Sequence, residues 1–379
     1  MTVEPVRQQP LPLVGGEAAT RLEALLLEST AAETRRAYRA DWNAWLYWCD
    51  RTGNVARPAD PHILAADLAE MSALLDTHGR PVYAPSTLTR WVAGINYGHV
   101  GAGFDPPGAA PVVSAALSGI RRQAQRPVHR VRALTLDLLR AVVARIDMQT
   151  WPSAVIGHRD RLILLLGFAS AMRRSELAGL RVGDIVDAGS EGLRVRLRRS
   201  KTDQEGSGQW RPVPVASAPA DCAVCAWIIW RRLCRLAGSR IKTMERVLAF
   251  DPDRHICTSF RDPELTGTGP RSATLPDPGA VAAQPLLRTC RCDGVVHDAP
   301  MSGSAINAVV KRRVHAAGLD ETQFGAHSLR AGFVTQALRG GADYAEVMRQ
   351  TGHSSPAMVQ VYARETDPLR GNAVTKLGL

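Results

Sequence analysis

Lysine is nearly missing from this chain: Lys201, Lys242, Lys311 and Lys376 are the only four among 47 basic residues, and the rest are arginines. Genomic base composition can produce that skew, so it carries no functional reading. Long apolar runs are missing as well. No stretch of about 18 apolar residues occurs, which leaves no candidate membrane span. Met1 to Gly16 lacks the apolar centre of a secretory signal. Seven cysteines, an odd number, without such a signal argue against a disulfide framework and for a reducing, cytoplasmic interior. Acidic residues are fewer than basic ones, 36 against 47, giving a net charge of +11. An excess of that sign favours a polyanionic partner over an acidic or membrane-embedded role. No internal repeat is visible.

What is present is enough apolar residue, 45% of 379, to bury two cores. Residues 1–28 read as a tail. Over 29–122, Tyr38, Trp42, Trp45 and Cys49 fall at helical spacing, with Arg35, Arg36 and Arg39 among the polar positions. That aromatic stripe is expected to be core, not a base-stacking platform. Three more helices follow, over Ile63–Leu75, from Ser86 through Leu88, Trp91 and Ile95 with Arg90 on another face, and through Val113, Leu117 and Ile120 into Arg121 and Arg122. The stretch 123–133 (QAQRPVHRVRA) has no apolar period and reads as an extended basic linker. Arg126, Arg130 and Arg132 in it join Arg35, Arg36, Arg39, Arg90, Arg121 and Arg122 as candidate contacts to a phosphate backbone.

Residues 134–379 form a larger domain. Leu162 to Leu166 sits in a helix apolar all round, expected to be buried on every side. Leu193 to Leu197 alternates with arginine at a period of two, and Val213 and Val215 follow a polar turn, so a β-hairpin is expected with Lys201 near its tip. Residues 237–300 lose periodicity and read as an irregular insertion. The fold class implied is mainly α with a small β-hairpin or sheet (α+β): a helical N-terminal domain followed by a mixed one.

The chemistry concentrates near the C-terminus. His327 and Arg330 are three apart, on one face of a helix. Gly352-His353 follows, then Tyr362 nine residues beyond His353. A His and an Arg aimed at one point, with a Tyr delivered from another element, describe a phosphate site with a nucleophile. Taken with Ala171-Met172-Arg173-Arg174-Ser175-Glu176-Leu177 and the hairpin Lys201, the segments His327-Ser328-Leu329-Arg330-Ala331-Gly332-Phe333, Thr351-Gly352-His353-Ser354-Ser355 and Val361-Tyr362 resemble the tyrosine recombinase (phage integrase) family. The His327–Phe333 run is nearest to its Cre-like phage members. The resemblance covers the domain from about 134 onward, apart from the insertion, and in outline the helical domain, which matches the family's SAM-like core-binding domain.

The resemblance implies a site-specific DNA recombinase acting on double-stranded DNA as a homotetramer on paired sites, without membrane, metal or other cofactor. Its catalytic set is Arg173, Lys201, His327, Arg330, His353 and Tyr362, supported by Glu176. Arginine forks suit the growing negative charge on a phosphodiester under attack. The tyrosine hydroxyl, with a pKa near ~10, needs a base or a strong positive field, and His327 suits that work. The family assigns protonation of the departing 5′ oxygen to the hairpin lysine and the orienting of cations to the acidic residue. Arg174, Arg199 and Tyr344 are competitors for Arg173, Lys201 and Tyr362. Rival functions are a type IB topoisomerase and a DNA-binding regulator on the same fold, and filled catalytic positions argue against the second. A zinc site from Cys222-x-x-Cys225, Cys290-x-Cys292 and His297 is the remaining alternative. The second pair has the wrong spacing for a common knuckle, so buried thiols are the expectation.

Overall fold

The computed structural model describes residues 20, 21, 25, 30, 32–124, 131–198, 208–236, 238–257 and 278–366. They divide into two compact units, Met1–Val128 and His129–Leu379. Among the described residues no helix is long and apolar enough to cross a membrane.

The smaller unit contains α1 (Ala32–Thr52), α2 (Pro61–Ala73), α3 (Pro85–Val100) and α4 (Pro111–Ala124). The last three open on proline, whose missing N–H would be unpaired at that position in any case. Pro85 therefore starts α3, and Ser86 lies inside its first turn instead of capping it. Asp60 caps α2, its carboxylate accepting the His62 N–H at 2.7 Å. Trp45, Trp48, Leu64, Leu68, Leu88, Trp91, Ile95 and Val113 form the core, with Trp42 packed against it. The aromatic stripe of α1 thus faces inward. Its indoles are also tied down: Trp45 Nε1 donates to Ala56 O (3.0 Å) and Trp48 Nε1 to Glu70 (2.8 Å).

In the larger unit α5 (Leu136–Ala144) and α6 (Ser153–Ala169) precede a short α7 (Arg174–Ala178). Strands β1 (Ile185–Asp187), β2 (Gly192–Leu197) and β3 (Gln209–Pro214) make an antiparallel sheet in that order, with Leu197 opposite Gln209. The β2–β3 hairpin is the one expected, and Lys201 and Arg199, between its strands, lie outside the described residues. Next come α8 (Ala223–Arg235), α9 (Arg240–Leu248), α10 (Pro278–Ala283), a hairpin of β4 (Arg288–Cys290) and β5 (Val296–Pro300), and α11 (Gly303–Ala316). The chain ends in α12 (His327–Arg339), α13 (Tyr344–Thr351) and α14 (Pro356–Thr366). The architecture is mainly α with small antiparallel sheets, as the patterning implied.

Of the stretch 237–300, the described residues 238–257 and 278–300 contain two helices and a hairpin that its sequence did not show as periods. Helix α9 forms because Ser239 accepts the Lys242 N–H and because Thr243 and Val247, four apart, suffice to seat it. The β4–β5 hairpin has strands too short for alternation to show. The chain around it returns to the body through Leu286 N–H to Leu180 O (2.9 Å), while Trp230 Nε1 of α8 donates to Leu286 O (2.7 Å).

Helix α6 is the central rod of this unit, buried from Ala154 to Gly167 except at Ile156. It carries a carboxylate, Asp160, fully buried and paired at 2.8 Å with Arg159, Arg312 and Arg313. Two of these cations come from α11, so the network locks α11 onto α6. Leu134 N–H to Ser328 O (2.9 Å) ties the start of the unit to α12. Gly332 allows that contact, since a methyl there would stand 1.9 Å from Leu134 O.

Asp160→Ala strands Arg159 as a buried unpaired charge, and chemical denaturation of the purified chain should show a loss of about 3–5 kcal/mol. Arg312→Ala, at a side chain 53% exposed, should cost no more than about 1 kcal/mol in the same measurement.

Candidate active site

Five elements of the larger unit converge on one cationic cup. The first wall is the turn from α6 into α7. Ala171 adopts φ 52°, a left-handed conformation unfavourable to a residue with a Cβ. The turn directs the Ala171 carbonyl at the Arg330 guanidinium, 2.8 Å from Nη1. Two residues on, Arg173 caps α7. The Glu176 carboxylate, almost fully buried, accepts both the Arg173 backbone N–H (2.8 Å) and Nη1 (2.7 Å). Arg174 is exposed and its side chain runs along Gly303, so the two neighbouring arginines have different surroundings.

Arg330, one turn into α12, is 1% exposed. Its Nη1 donates to Ala171 O and to Thr351 O (2.7 Å), whereas Nη2 is buried with no partner among the described residues. Burial, and then the nearby Arg173, depress its pKa to about 10, with Glu176 and Tyr362 acting the other way. It still carries its charge at neutral pH.

A further arginine belongs to this cup and escaped the sequence reading. Arg211 of β3 is 3% exposed, donating from Nη1 to Arg349 O (2.7 Å) and from Nη2 to Gln209 (2.8 Å). It lies directly beneath Gly352, where a Cβ would come within 2.4 Å of Nη2. Gly352 also ends α13 at φ 67°, so both its backbone and its bare Cα are required. The signal for Arg211 was in the strand alternation: it shares the inward phase with Val213, where a charge is out of place.

His327 opens α12, His353 follows α13 and Tyr362 is on α14. His327 Nε2 stands 3.0 Å from Tyr362 Oη. The His353 and Tyr362 rings are 6.2 Å apart, and His353 Nδ1 is 2.9 Å from Thr351 Oγ1. Val334, Val347 and Val359, one from each of α12, α13 and α14, form a small apolar cluster against which Tyr362 packs. Tyr344, at the start of α13, is 39% exposed.

Both imidazoles are pushed toward their neutral forms. For His327 the loss of hydration, then Arg330 and Arg173, lower the pKa. For His353 the same loss, then Arg330, Arg173, His327 and Arg211, bring it to about 4.

The expected backbone contacts fall in varied settings. Arg36 pairs with Glu33 at 2.8 Å, and Arg90 holds the buried carboxylate of Asp41 at 3.1 Å. Arg35 is half-buried, and Arg39, Arg121 and Arg122 are exposed. The Arg132 guanidinium lies 5.6 Å from the Phe324 ring centre. Arg126 and Arg130 are outside the described residues.

The depressed His353 pKa means that the unfolded chain, near ~6.5, binds a proton that the folded chain refuses. Stability from this residue is therefore full above about pH 6.5, declines as pH falls, and levels off below about 4. An NMR titration of the His353 ring should show its midpoint near pH 4. A midpoint at the free imidazole value would mean that the guanidiniums do not gather around it.

Known proteins resemble this chain in sequence and fold. The Phage integrase family profile matches residues 282–368. An integrase/recombinase xerD homolog of Selenomonas ruminantium is 27% identical over 367 residues, 95% of this chain and 89% of the relative. Tyrosine recombinase XerD of Xanthomonas axonopodis pv. citri is 26% identical, over 88% of each chain. Among solved structures, the Tn1549 transposon integrase in complex with transposon right end DNA superposes with a TM-score of 0.53. That match covers 95% of this chain and 99% of the other at 14% identity, and speaks for the fold. These matches make the chain similar to tyrosine recombinases of the phage integrase family, whose profile falls on residues 282–368.

Proposed function

We propose that this protein cleaves and rejoins double-stranded DNA at specific sites through a covalent link between Tyr362 and a 3′ phosphate. The observation that carries the reading is the pairing of Tyr362 Oη with His327 Nε2 at 3.0 Å beside the buried, unpartnered Nη2 of Arg330. A scissile phosphate seated against Arg330 Nη2 and Arg173 has its nonbridging oxygens held by charges that need not reorganise as the pentacoordinate state forms. Glu176 and the carbonyls of Ala171 and Thr351 fix the two forks in place.

Neutral His327 presents a lone pair to the tyrosine hydroxyl and takes its proton as Oη attacks phosphorus. The Oη–P bond forms and the P–O5′ bond breaks. The 5′ oxygen takes a proton from Lys201, the role the family gives to the hairpin lysine. The bond energy stays in the phosphotyrosine, so a 5′ hydroxyl from another strand reverses the step.

His353 serves as a donor to a nonbridging oxygen. Thr351 Oγ1 reaches both Val347 O (2.8 Å) and His353 Nδ1 (2.9 Å). The hydroxyl proton goes to the Val347 carbonyl, which can only accept, so the oxygen accepts from His353 Nδ1–H, and Nε2 donates to the phosphate once the ring takes up a second proton beside the bound anion. Arg211 holds the Gly352 turn from below and adds positive potential.

The smaller unit acts as the helical core-binding domain, contacting the DNA backbone with Arg35, Arg36, Arg39, Arg90, Arg121 and Arg122. The basic stretch 123–133 follows the phosphates through Arg126, Arg130 and Arg132. Four copies work on two paired sites in the cytoplasm, exchanging their C-terminal segments. The seven free cysteines fit such a reducing compartment.

A nicked suicide substrate provides the test. Wild-type protein should form a denaturant-resistant adduct, and Tyr362→Phe should bind the DNA but form none; an adduct with Tyr362→Phe would assign the nucleophile elsewhere. Arg330→Ala should slow adduct formation by about 10²–10³-fold. Relaxation of supercoiled DNA lacking paired sites would favour the topoisomerase alternative.

A further inference from the structure

Away from the catalytic cup, four soft donors meet at the start of α8. Cys222 caps this helix and Cys225 lies one turn inside it, both buried. The chain returning from α9 brings His255 and Cys257 against them. Their ligand atoms all lie within 4.8 Å of one another. The Cys222 and Cys257 sulfurs are 3.8 Å apart and those of Cys225 and Cys257 3.4 Å. His255 Nδ1 stands 3.5 Å from each of the Cys225 and Cys257 sulfurs.

These four separations are close to edges of a coordination tetrahedron, and the other two lie within 4.8 Å. Zinc bonds of ~2.3 Å to sulfur and ~2.05 Å to nitrogen at tetrahedral angles put neighbouring sulfurs about 3.8 Å apart and sulfur and nitrogen about 3.5 Å apart. A disulfide would need its sulfurs at about 2.05 Å, and no pair here approaches that. The imidazole is also oriented as a ligand should be. Its Nε2 lies 3.2 Å from Ser217 O. A proton donated there leaves Nδ1 as the lone-pair nitrogen facing the sulfurs, the usual outer-shell arrangement for a metal-bound histidine.

A second observation points to the charge such a site would have. Zinc with three thiolates and a neutral imidazole carries a net negative charge. Arg161 of α6 is 1% exposed, and its Nε and Nη1 have no partner among the described residues. Its Nη2 is anchored on Pro219 O (2.6 Å) and Ala220 O (3.2 Å), at the approach to Cys222. Cys225 and Cys222, ahead of Asp221, are the groups that most favour its charged state. The Arg161 guanidinium also lies 5.7 Å from the Phe250 ring centre, and a metal–thiolate centre would add a full counter-charge beside it.

We propose that Cys222, Cys225, His255 and Cys257 bind a structural zinc ion. Four protein ligands leave no open position for water or substrate, so the ion does not take part in strand cleavage. It clamps the chain after α9 to the first turn of α8, which packs on α6. The pairing considered from sequence, Cys222 and Cys225 with Cys290 and Cys292, is replaced. Cys290 and Cys292 belong to the β4–β5 hairpin, outside the four-donor cluster.

The test uses the full chain purified under reducing conditions in zinc-containing medium. Elemental analysis should find about one zinc per chain, the stoichiometry of a closed four-ligand site. Titration of the metal-stripped protein with Co²⁺ should develop a thiolate-to-cobalt charge-transfer band and the intense visible bands of a tetrahedral centre. Cys222→Ser and Cys257→Ser should lose the metal, and Cys292→Ser should keep it. Zinc at background together with no cobalt–thiolate spectrum in the wild-type chain overturns the proposal, whether or not the cysteine variants fold. Metal that depends on Cys290 or Cys292 overturns this ligand set.

Discussion

Everything at the catalytic cup depends on holding like charges together. Arg173, Arg211 and Arg330 are drawn into one partly dehydrated volume, where each disfavours the charge of its neighbours. The depressed pKa of Arg330 and of both histidines records that cost. The offset comes from one buried carboxylate, Glu176 of α7, and from carbonyls at Ala171 in the α6–α7 turn and at Arg349 and Thr351 in the last turn of α13. In the proposed reaction a phosphodiester would supply the missing negative charge. The cup is therefore built for an anion, and binding relieves a tension already present in the free protein.

The same field sorts the protonation states. In the proposed step His327, kept neutral by burial and by the nearby guanidiniums, accepts the tyrosine proton. Placement of the phenol rests on packing: the cluster of Val334, Val347 and Val359 carries α14 against α12 and brings Oη to His327. A modest apolar contact thus sets the position of the Tyr362 hydroxyl, while the cations sit on the α6–α7 turn, β3 and α12.

The larger unit shows two opposite solutions to buried charge. Around α6, Asp160 gathers three arginines and is satisfied within the protein. The next residue of the same helix, Arg161, reaches toward a nest of sulfur donors, and the proposed metal centre would balance its charge. One is complete as folded; the other needs an ion. Both lock an element to the central helix, α11 in the first case and the segment after α9 in the second.

Sequence by itself determined the broad class and most of the cup. Helical periods located α1 to α4, the unbroken apolar run located α6, and the spacing of His327, Arg330, His353 and Tyr362 marked the chemistry, because these signals repeat within a few residues. Arg173 was separable from Arg174 by motif alone, and the structure gives that choice a physical basis in Glu176. Tertiary structure decided the rest. Arg211 looked like one more strand arginine until β3 placed it under Gly352. The order within 237–300 was illegible because its elements are too short to show a period. Cys222 and Cys225 were weighed with Cys290, Cys292 and His297, because nothing local in the sequence singles out His255 and Cys257, 30 or more residues further on. Local pattern reveals which residues share a helix face or a strand side. Only the path of the folded chain reveals which charges and sulfurs from distant segments must share one small volume.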